Sequence, residues 1–139
     1  MWIQRTDTKS RLLAGGAFLV ILVAAAVALA EQASSEHEAL TLAMTLTGGN
    51  PENAPALLRR YGCAGCHTIE ALTGATGLVG PPLEHLRQRI YIAGHLQNTA
   101  DHLIQWIAAP QRLSPGSAMP DTGITEREAR DVAAFLYAH

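Results

Sequence analysis

The hydropathy pattern is dominated by one uninterrupted apolar run near the N-terminus. Residues 12–30 are nineteen residues without a charge. A helix of that length measures about 28 Å, close to the roughly 30 Å hydrocarbon core of a bilayer. Arg5, Lys9 and Arg11 precede the run, and glutamates follow it. Because basic residues stay on the cytoplasmic side of a membrane, we expect residues 1–11 in the cytoplasm and a transmembrane segment at 12–30.

A cleavable signal peptide is the alternative interpretation of this run. Such a peptide has an apolar region of about 7–15 residues that ends at a small-residue cleavage site. The sequence Ala28-Leu29-Ala30 could serve as that site. The length of the run favours an uncleaved span. The predicted location is the inner (plasma) membrane of a bacterium, with a single pass and the C-terminal domain in the periplasm.

The remainder of the chain divides into a tether and one domain. Residues 31–46 are predicted to form the tether, which is partly helical. The sequence Thr47-Gly48-Gly49-Asn50-Pro51 is a cluster of turn-forming residues. We therefore expect a domain over residues 47–139.

The first two helices of this domain are predicted by their ends and their apolar spacing. The first covers about residues 54–61, with Asn50 or Asn53 as its N-cap. Pro55 favours Asn53, because proline is tolerated in the first turn of a helix. The second follows Thr99, which can cap it, and ends before Pro110.

The third helix has the clearest signal. Thr125 and Glu128 have the spacing of a capping box. The residues after them form one apolar stripe at helical spacing: Ala129, Val132, Ala133, Leu136 and Tyr137. The loops are rich in glycine and proline and contain no clear alternating strand pattern. The predicted fold class is all-α.

Composition and charge exclude several classes of protein. The chain has 139 residues, 48% of them apolar and 16% charged, which excludes disorder of the whole chain. The net charge is −2 and no basic run follows the N-terminus, so nucleic acid is not an expected partner. Two cysteines exclude a disulfide-dense scaffold and a four-cysteine metal site within the chain. Aromatic residues are only 5%, so we expect a further group to help fill the core.

The two cysteines belong to the chemically informative motif Cys63-Ala64-Gly65-Cys66-His67, which is the C-x-x-C-H attachment pattern of a c-type haem. Two thiols at this spacing can reach the two vinyl groups of one haem, and the adjacent histidine is then placed under the iron. A thioredoxin-like pair, half a zinc site or a short disulfide are the alternatives. The first lacks a βαβ pattern and the second lacks its other half. The predicted cofactor is one covalently attached haem c.

A haem iron that only transfers electrons needs a sixth ligand, and Met119 is the best candidate. It lies in a loop rich in proline and glycine rather than on a helical stripe, which argues against simple core packing. A thioether raises the reduction potential relative to a second histidine. His85, His95 and His102 are the rival ligands among the histidines, and His95 is the best alternative because it lies in a loop that could fold over the haem. Pro81 follows Gly80 in a turn, and its carbonyl could accept the free N–H of the ligating His67.

These motifs together resemble the mono-haem cytochrome c family with histidine–methionine ligation. The resemblance covers about residues 47–139 and depends on the order of CAGCH at 63–67, GPPL at 80–83, the segment 102–120 and the last helix. It implies the cytochrome c fold, with three main helices and loops around one haem, after one N-terminal transmembrane helix. It also implies roles for eight residues: Cys63 and Cys66 as haem attachments, His67 and Met119 as iron ligands, Pro81, Leu83, Trp106 and Ser117 around the haem.

The resemblance has two departures. Many family members have an aromatic residue four positions before the first cysteine, where this chain has Arg59. Leu58 and Tyr61 are the expected substitutes in the packing of the terminal helices, where the family also places an aromatic at Phe135. The lysine ring of many soluble cytochromes c is absent, since no lysine follows Lys9. The chain is more similar to membrane-anchored bacterial cytochromes c linked to respiratory oxidases.

The expected function is single-electron transfer in a respiratory chain on the periplasmic face, to or within a terminal oxidase. The expected partners are the membrane and redox proteins such as a cytochrome bc complex and a haem–copper oxidase. No small-molecule substrate is expected, and the chain is not expected to be an enzyme by itself. A fixed subunit of a larger oxidoreductase complex is one alternative. A haem peroxidase or gas sensor, which needs an open or labile sixth position, is another.

Overall fold

The first helix, α1, is long and largely exposed. The structure, a computed structural model, describes the backbone of residues 8–139 and the side chains of residues 14–139. Helix α1 covers Thr8–Thr47. Within it, Ala14–Thr47 is long and apolar enough to cross a membrane, and the large apolar side chains of the run, such as Phe18 and Ile21, are exposed. Arg5 and the rest of residues 1–7 lie outside the described residues, as do the side chains of residues 8–13.

The chain forms two compact units, Met1–Glu36 and His37–His139. Helix α1 is continuous through the segment predicted to be a tether, residues 31–46. Its last turns belong to the second unit. Ala43 and Thr47 are buried there, and the Thr47 hydroxyl donates to the Ala43 carbonyl at 2.7 Å.

The second unit is mostly helical. After α1 come a 3-10 turn at Pro51–Asn53, α2 at Ala54–Arg60, α3 at Cys63–Cys66 and a 3-10 turn at Leu86–Gln88. A short hairpin of β1, Tyr91–Ile92, and β2, Leu96–Gln97, precedes α4 at Ala100–Ala108, α5 at Pro110–Leu113 and α6 at Glu126–Ala138. The predicted mostly helical fold is confirmed.

The hairpin differs from the expectation of no strands. Its strands are antiparallel, with Tyr91 opposite Gln97 and Ile92 opposite Leu96. The turn between them has Ala93 and Gly94 at positive φ, 51° and 80°. Two residues per strand are too few to show an alternating pattern, which explains why sequence periodicity missed the hairpin.

The predicted cap residues Thr99, Thr125 and Asn53 all occupy N-cap positions, and the first two make the capping bond. The Thr99 hydroxyl accepts from the backbone N–H of His102 at 3.2 Å, at the start of α4. Both halves of the Thr125–Glu128 capping box are present at the start of α6. Asn53 is the N-cap residue of α2, but its side chain makes no capping bond. Its amide donates instead to the carboxylate of Asp131 at 2.9 Å, because α6 lies beside it.

The core of the second unit lies between α2, α4 and α6. Leu58 of α2, Ile104 of α4 and Val132 of α6 are almost fully buried. All five residues of the apolar stripe predicted for the last helix are buried, together with Ala134 and Phe135. Each large apolar side chain removed from water contributes about 1.5–3 kcal/mol. Packing of this stripe is therefore the main contribution of α6 to stability.

Polar contacts join α2 to α6 next to Arg59. The Tyr61 hydroxyl, just after α2, donates to the Glu128 carboxylate at 3.0 Å, and Arg60 lies 3.6 Å from the same carboxylate. Hydrogen bonds from Thr125 are the main cause that lowers the pKa of Glu128, with a further contribution from Tyr61. The buried Leu58 side chain and the Tyr61–Glu128 hydrogen bond therefore join the two helices. Leu58 and Tyr61 are the residues expected to replace an aromatic side chain at the position of Arg59.

The turn between α1 and α2 is fastened to α6. The Arg130 guanidinium donates to the Thr47 carbonyl at 3.1 Å, and Asp131 accepts from the backbone N–H of Asn50 at 2.7 Å. Gly49 is buried, and a Cβ there would overlap the backbone of Arg130. The turn predicted at residues 47–51 is therefore held by the C-terminal helix.

Candidate functional site

The two cysteines lie on the single turn of helix α3. Gly62, at φ 74°, allows the chain to turn sharply out of α2 just before Cys63. Residues three apart lie on the same face of a helix, so Cys63 and Cys66 present their side chains to one side. Both are free thiols and both are half-buried. This spacing allows both sulfurs to attach to one planar group.

His67 ends this turn with its ring held by a neighbouring segment. Its backbone is extended, and its N–H donates to the Cys63 carbonyl at 2.9 Å. The ring Nδ1–H donates to the Pro81 carbonyl at 2.6 Å. Because a carbonyl can only accept, the proton is on Nδ1 and the Nε2 lone pair is free to bind a metal. Pro81 therefore makes the contact expected from its sequence position.

Residues 75–83, here called the proximal strap, cross the histidine segment and fix its position. The Gly80 N–H donates to the Cys66 carbonyl at 2.8 Å, and the Leu83 N–H donates to the Thr68 carbonyl at 2.9 Å. The Thr68 hydroxyl donates to the Gly77 carbonyl at 3.0 Å. These bonds fix the chain on both sides of His67.

Two glycines allow the proximal strap to come this close. A Cβ at Gly80 would overlap the His67 ring, and a Cβ at Gly77 would overlap the backbone of Gly65 and Cys66. Sequence reasoning treated Gly80 as part of an ordinary turn and did not single out Gly77 or Thr68. The sequence signal for this close approach was Gly77, three residues before the Gly-Pro-Pro turn.

The electrostatics of the cysteines disfavour a thiolate. Burial is the main cause that raises the pKa of the Cys63 thiol. Reactive and metal-binding cysteines need the thiolate and are found where their pKa is lowered. Within the described residues, no cluster of three or more His, Cys, Asp or Glu side chains has the arrangement of a metal site. The environment of Cys63 therefore suits a neutral thioether better than zinc or thiol redox chemistry.

Met119 lies in a second group of residues, residues 114–120, here called the methionine loop. Its side chain is half-buried, and its N–H donates to the Ser117 hydroxyl at 3.2 Å. The Gln111 amide group makes three hydrogen bonds to this loop. Sequence reasoning missed Gln111, because a glutamine after a proline has no local signature.

Leu83 and Trp106 are the two apolar residues expected near the haem. Both are half-buried and pack against the hydrophobic core. Leu83 also lines a cavity of about 300 Å³ together with Phe135 and Leu136 of α6. The Phe135 ring lies 4.6 Å from the ring of His139. Leu83, at the end of the proximal strap, is thus joined to apolar side chains of α6.

Two of the rival histidines bond to carbonyls of their own surroundings. The Nδ1 of His95 lies 2.9 Å from the Ala93 carbonyl in the hairpin turn. The Nδ1 of His102 lies 2.9 Å from the Gln97 carbonyl. These contacts hold the His95 ring at the hairpin turn and the His102 ring, in the first turn of α4, against the end of β2.

The residues present fit a covalently attached haem. Two half-buried thiols share one face, a histidine beside them has its Nδ1 occupied and its Nε2 free, and Gly80 leaves room for its ring. The side chain of Leu83, at the end of the proximal strap, is apolar. This donor set, with a thioether in a separate loop, suits an iron porphyrin.

Comparison with known proteins agrees with this arrangement. The family model described as cytochrome c matches residues 51–138. The chain is 36% identical over 76 residues to a protein of Alkalihalophilus pseudofirmus named cytochrome c oxidase subunit 2. That alignment covers 53% of this chain and 21% of the relative, so the chain spans about a fifth of the relative's length. No solved structure matches the chain.

Proposed function

Because the chain belongs to the cytochrome c family, whose model matches residues 51–138, we propose that it is a membrane-anchored mono-haem carrier of single electrons to or within a terminal oxidase. Membership of the family implies one covalently attached haem c, with its iron, and a role in electron transfer. The observation that carries this proposal is the orientation of the His67 ring in the C-x-x-C-H turn. Its Nδ1–H donates to the Pro81 carbonyl, which leaves Nε2 as the donor to a metal.

The proposed haem site uses the eight residues named from the sequence. Cys63 and Cys66 would attach the group, and His67 and Met119 would bind the iron. When bound, haem c supplies an iron that cycles between ferrous and ferric states. The Pro81 carbonyl keeps the proton of His67 on Nδ1 and thereby holds Nε2 as the donor.

The surrounding residues have supporting roles in this proposal. Leu83 and Trp106 would pack against the haem with apolar side chains and keep water away from the iron. When water is excluded from the site, oxidation or reduction of the iron is not accompanied by binding or loss of water. The Ser117 hydroxyl accepts from the Met119 N–H, and its own hydrogen remains available for a propionate.

The proposed anchor is the apolar part of α1. Residues 12–30 would span the membrane, with residues 1–11 in the cytoplasm, 31–46 as a helical tether and 47–139 as the periplasmic domain. The basic residues before the span and the glutamates after it support this orientation. Confinement to the membrane raises the effective concentration of the domain near membrane complexes, so strong docking is not required.

The proposed partners follow from the relative and from the charge of the domain. The name of the relative, cytochrome c oxidase subunit 2, supports a terminal haem–copper oxidase as electron acceptor. A cytochrome bc complex is the proposed donor. After residue 30 the chain has seven basic and eleven acidic residues and no lysine. An acidic surface would be repelled by partners that dock on lysine-rich cytochromes.

A fixed subunit of an oxidase is the second candidate function, and the same relative favours it. The two functions differ in their association with the catalytic chain. A mobile carrier extracts from membranes separately from the oxidase. A fixed subunit co-purifies with it at a constant ratio through mild-detergent chromatography.

Mass and optical spectroscopy of the full-length protein test the main proposal. The protein is expressed in a host with haem-attachment machinery and extracted in detergent. We expect an intact mass equal to all 139 residues plus one haem, which shows both attachment and an uncleaved span. A colourless protein, or pigment lost in acidified acetone, would overturn the covalent haem. A mass that lacks residues 1–30 would overturn the anchor.

Met119→Ala tests the sixth ligand, with Met44→Ala as the matched control, since Met44 lies in α1. We expect Met119→Ala to lose the red absorption band of the ferric iron–methionine bond and to bind carbon monoxide in the ferrous form. Met44→Ala should behave as wild type. An unchanged spectrum in Met119→Ala would remove Met119 from the site. Strong carbon monoxide binding by the wild-type protein would favour a gas sensor or peroxidase.

A further inference from the structure

The Gln111 side chain makes three hydrogen bonds to the methionine loop. Its Nε2 donates to the Ser117 carbonyl at 2.8 Å and to the Met119 carbonyl at 2.7 Å. Its Oε1 accepts from the Gly116 N–H at 3.1 Å. A glutamine amide has two donor hydrogens and one carbonyl oxygen, so all of its groups are engaged. One side chain thus holds three backbone positions of the loop.

The methionine loop has little other support. Its backbone bonds run from the Ser114 N–H to the Pro110 carbonyl at 2.9 Å and from the Ser117 N–H to the Ser114 carbonyl at 3.1 Å, and the Met119 N–H donates to the Ser117 hydroxyl at 3.2 Å. Gly116 has a positive φ of 82°, so the chain reverses there without a regular element. The carbonyls bound by Gln111 lie two residues apart and enclose Ala118. Gln111 therefore fixes the backbone immediately before Met119 and at Met119 itself.

Gln111 is itself in a fixed position. It follows Pro110, which is almost fully buried at the start of the short helix α5. Its backbone N–H lies 3.4 Å from the Asp121 carboxylate, on the far side of Met119 along the chain. The loop is therefore held to α5 at residues 116, 117 and 119, and the chain just after the loop is held at residue 121. The direction of the Met119 side chain depends on these contacts, because the backbone conformation sets the Cα–Cβ direction and the allowed rotamers.

We propose that Gln111 is the positioning residue that directs Met119 toward the iron. This proposal rests on the proposed assignment of Met119 as the sixth ligand. Gln111 does not touch the metal and acts only through the backbone of the methionine loop. Its loss frees two carbonyls and one N–H of the loop, so Met119 leaves the iron more often while the rest of the domain stays folded.

The test uses the full-length, haem-loaded protein in detergent and two Gln111 variants. Gln111→Glu retains the acceptor for Gly116 and loses both donors, and Gln111→Leu loses all three bonds. Gln105→Glu is the matched control, because Gln105 lies exposed on α4. The readouts are the ferric iron–methionine absorption band and the rate of carbon monoxide binding to the ferrous protein. Thermal unfolding shows that each variant is folded at the temperature of measurement.

We expect both Gln111 variants to bind carbon monoxide about tenfold faster or more, as the loss of two hydrogen bonds predicts. Their iron–methionine band should weaken, and Gln105→Glu should match wild type. A lower melting temperature with an unchanged band and rate would overturn the proposal, because it indicates a purely structural role. If Gln111→Leu does not fold, the result for Gln111→Glu decides alone. Absence of the band in the wild-type protein would overturn the Met119 assignment and this proposal with it.

Discussion

Gly80→Ala is the sharpest test of how the chain holds its histidine. A Cβ at Gly80 would overlap the His67 ring, which is held by the hydrogen bond from its Nδ1 to the Pro81 carbonyl at 2.6 Å. The ring has to move, so this bond is lost, at about 0.5–1.5 kcal/mol. Overpacking against the proximal strap costs about 1–3 kcal/mol more. The expected loss in free energy of unfolding is therefore about 2–4 kcal/mol.

This loss corresponds to a fall in melting temperature of about 10 °C or more for a domain near 100 residues. Thermal unfolding of the haem-loaded protein, followed by helical circular dichroism, measures it. Gly65→Ala is the matched control, since a Cβ there meets nothing within 4 Å. The visible spectrum of Gly80→Ala should also change, because the ring is displaced as an iron ligand. If Gly80→Ala melts and absorbs like Gly65→Ala, the close packing of strap and histidine is refuted.

Three further substitutions test the contacts of α6. Hydrogen bonds from Thr125 lower the pKa of Glu128, so its contribution to stability is present above the ordinary glutamate pKa and is lost as pH falls. The stability advantage of wild type over Glu128→Gln should therefore vanish in acid titrations, and an advantage constant with pH would contradict this. Burial raises the pKa of Tyr137 to about 12, so its contribution is lost as pH rises from about 10 toward that value. In denaturant titrations at neutral pH, Tyr137→Phe should have a free energy of unfolding about 1 kcal/mol below wild type, because it loses the hydrogen bond to Asn98. In alkali the stability of Tyr137→Phe should fall less than that of wild type. Asp131→Ala should lose about 2 kcal/mol in the same assay because it frees two donors of the turn before α2. Asp131→Asn keeps one acceptor oxygen and should lose less, and wild-type stability in Asp131→Ala would show that these two bonds contribute nothing.

Local sequence signals predicted the helices well. Thr99 and the Thr125–Glu128 pair act as caps because a capping bond joins residues only two or three positions apart. The apolar stripe of the last helix faces the core because its period equals that of the helix. Asn53 fits this rule less well. It occupies the cap position, but its side chain bonds to Asp131, which is 78 residues away.

The candidate site was predictable in part. The motif at residues 63–67 indicated haem attachment because its five residues are contiguous and their chemistry is specific. The contact between His67 and Pro81 was also anticipated, since a ligating histidine needs an acceptor for its free N–H. The roles of Thr68, Gly77 and Gln111 were not anticipated. Each depends on a loop segment that passes close by, and no local pattern records that approach.

The sequence alone determined the apolar N-terminal helix, the amphipathic helices with their caps and the covalent chemistry of the cysteine motif. These features depend on residues within a few positions of one another, where helical geometry fixes the distances. The tertiary structure alone decided that Gly80 lies against the His67 ring, that Asp131 holds the turn before α2 and that Gln111 holds the loop of Met119. Such contacts join side chains to the backbone of irregular segments. Their distances depend on how the whole domain packs, so they exist only once the core has formed.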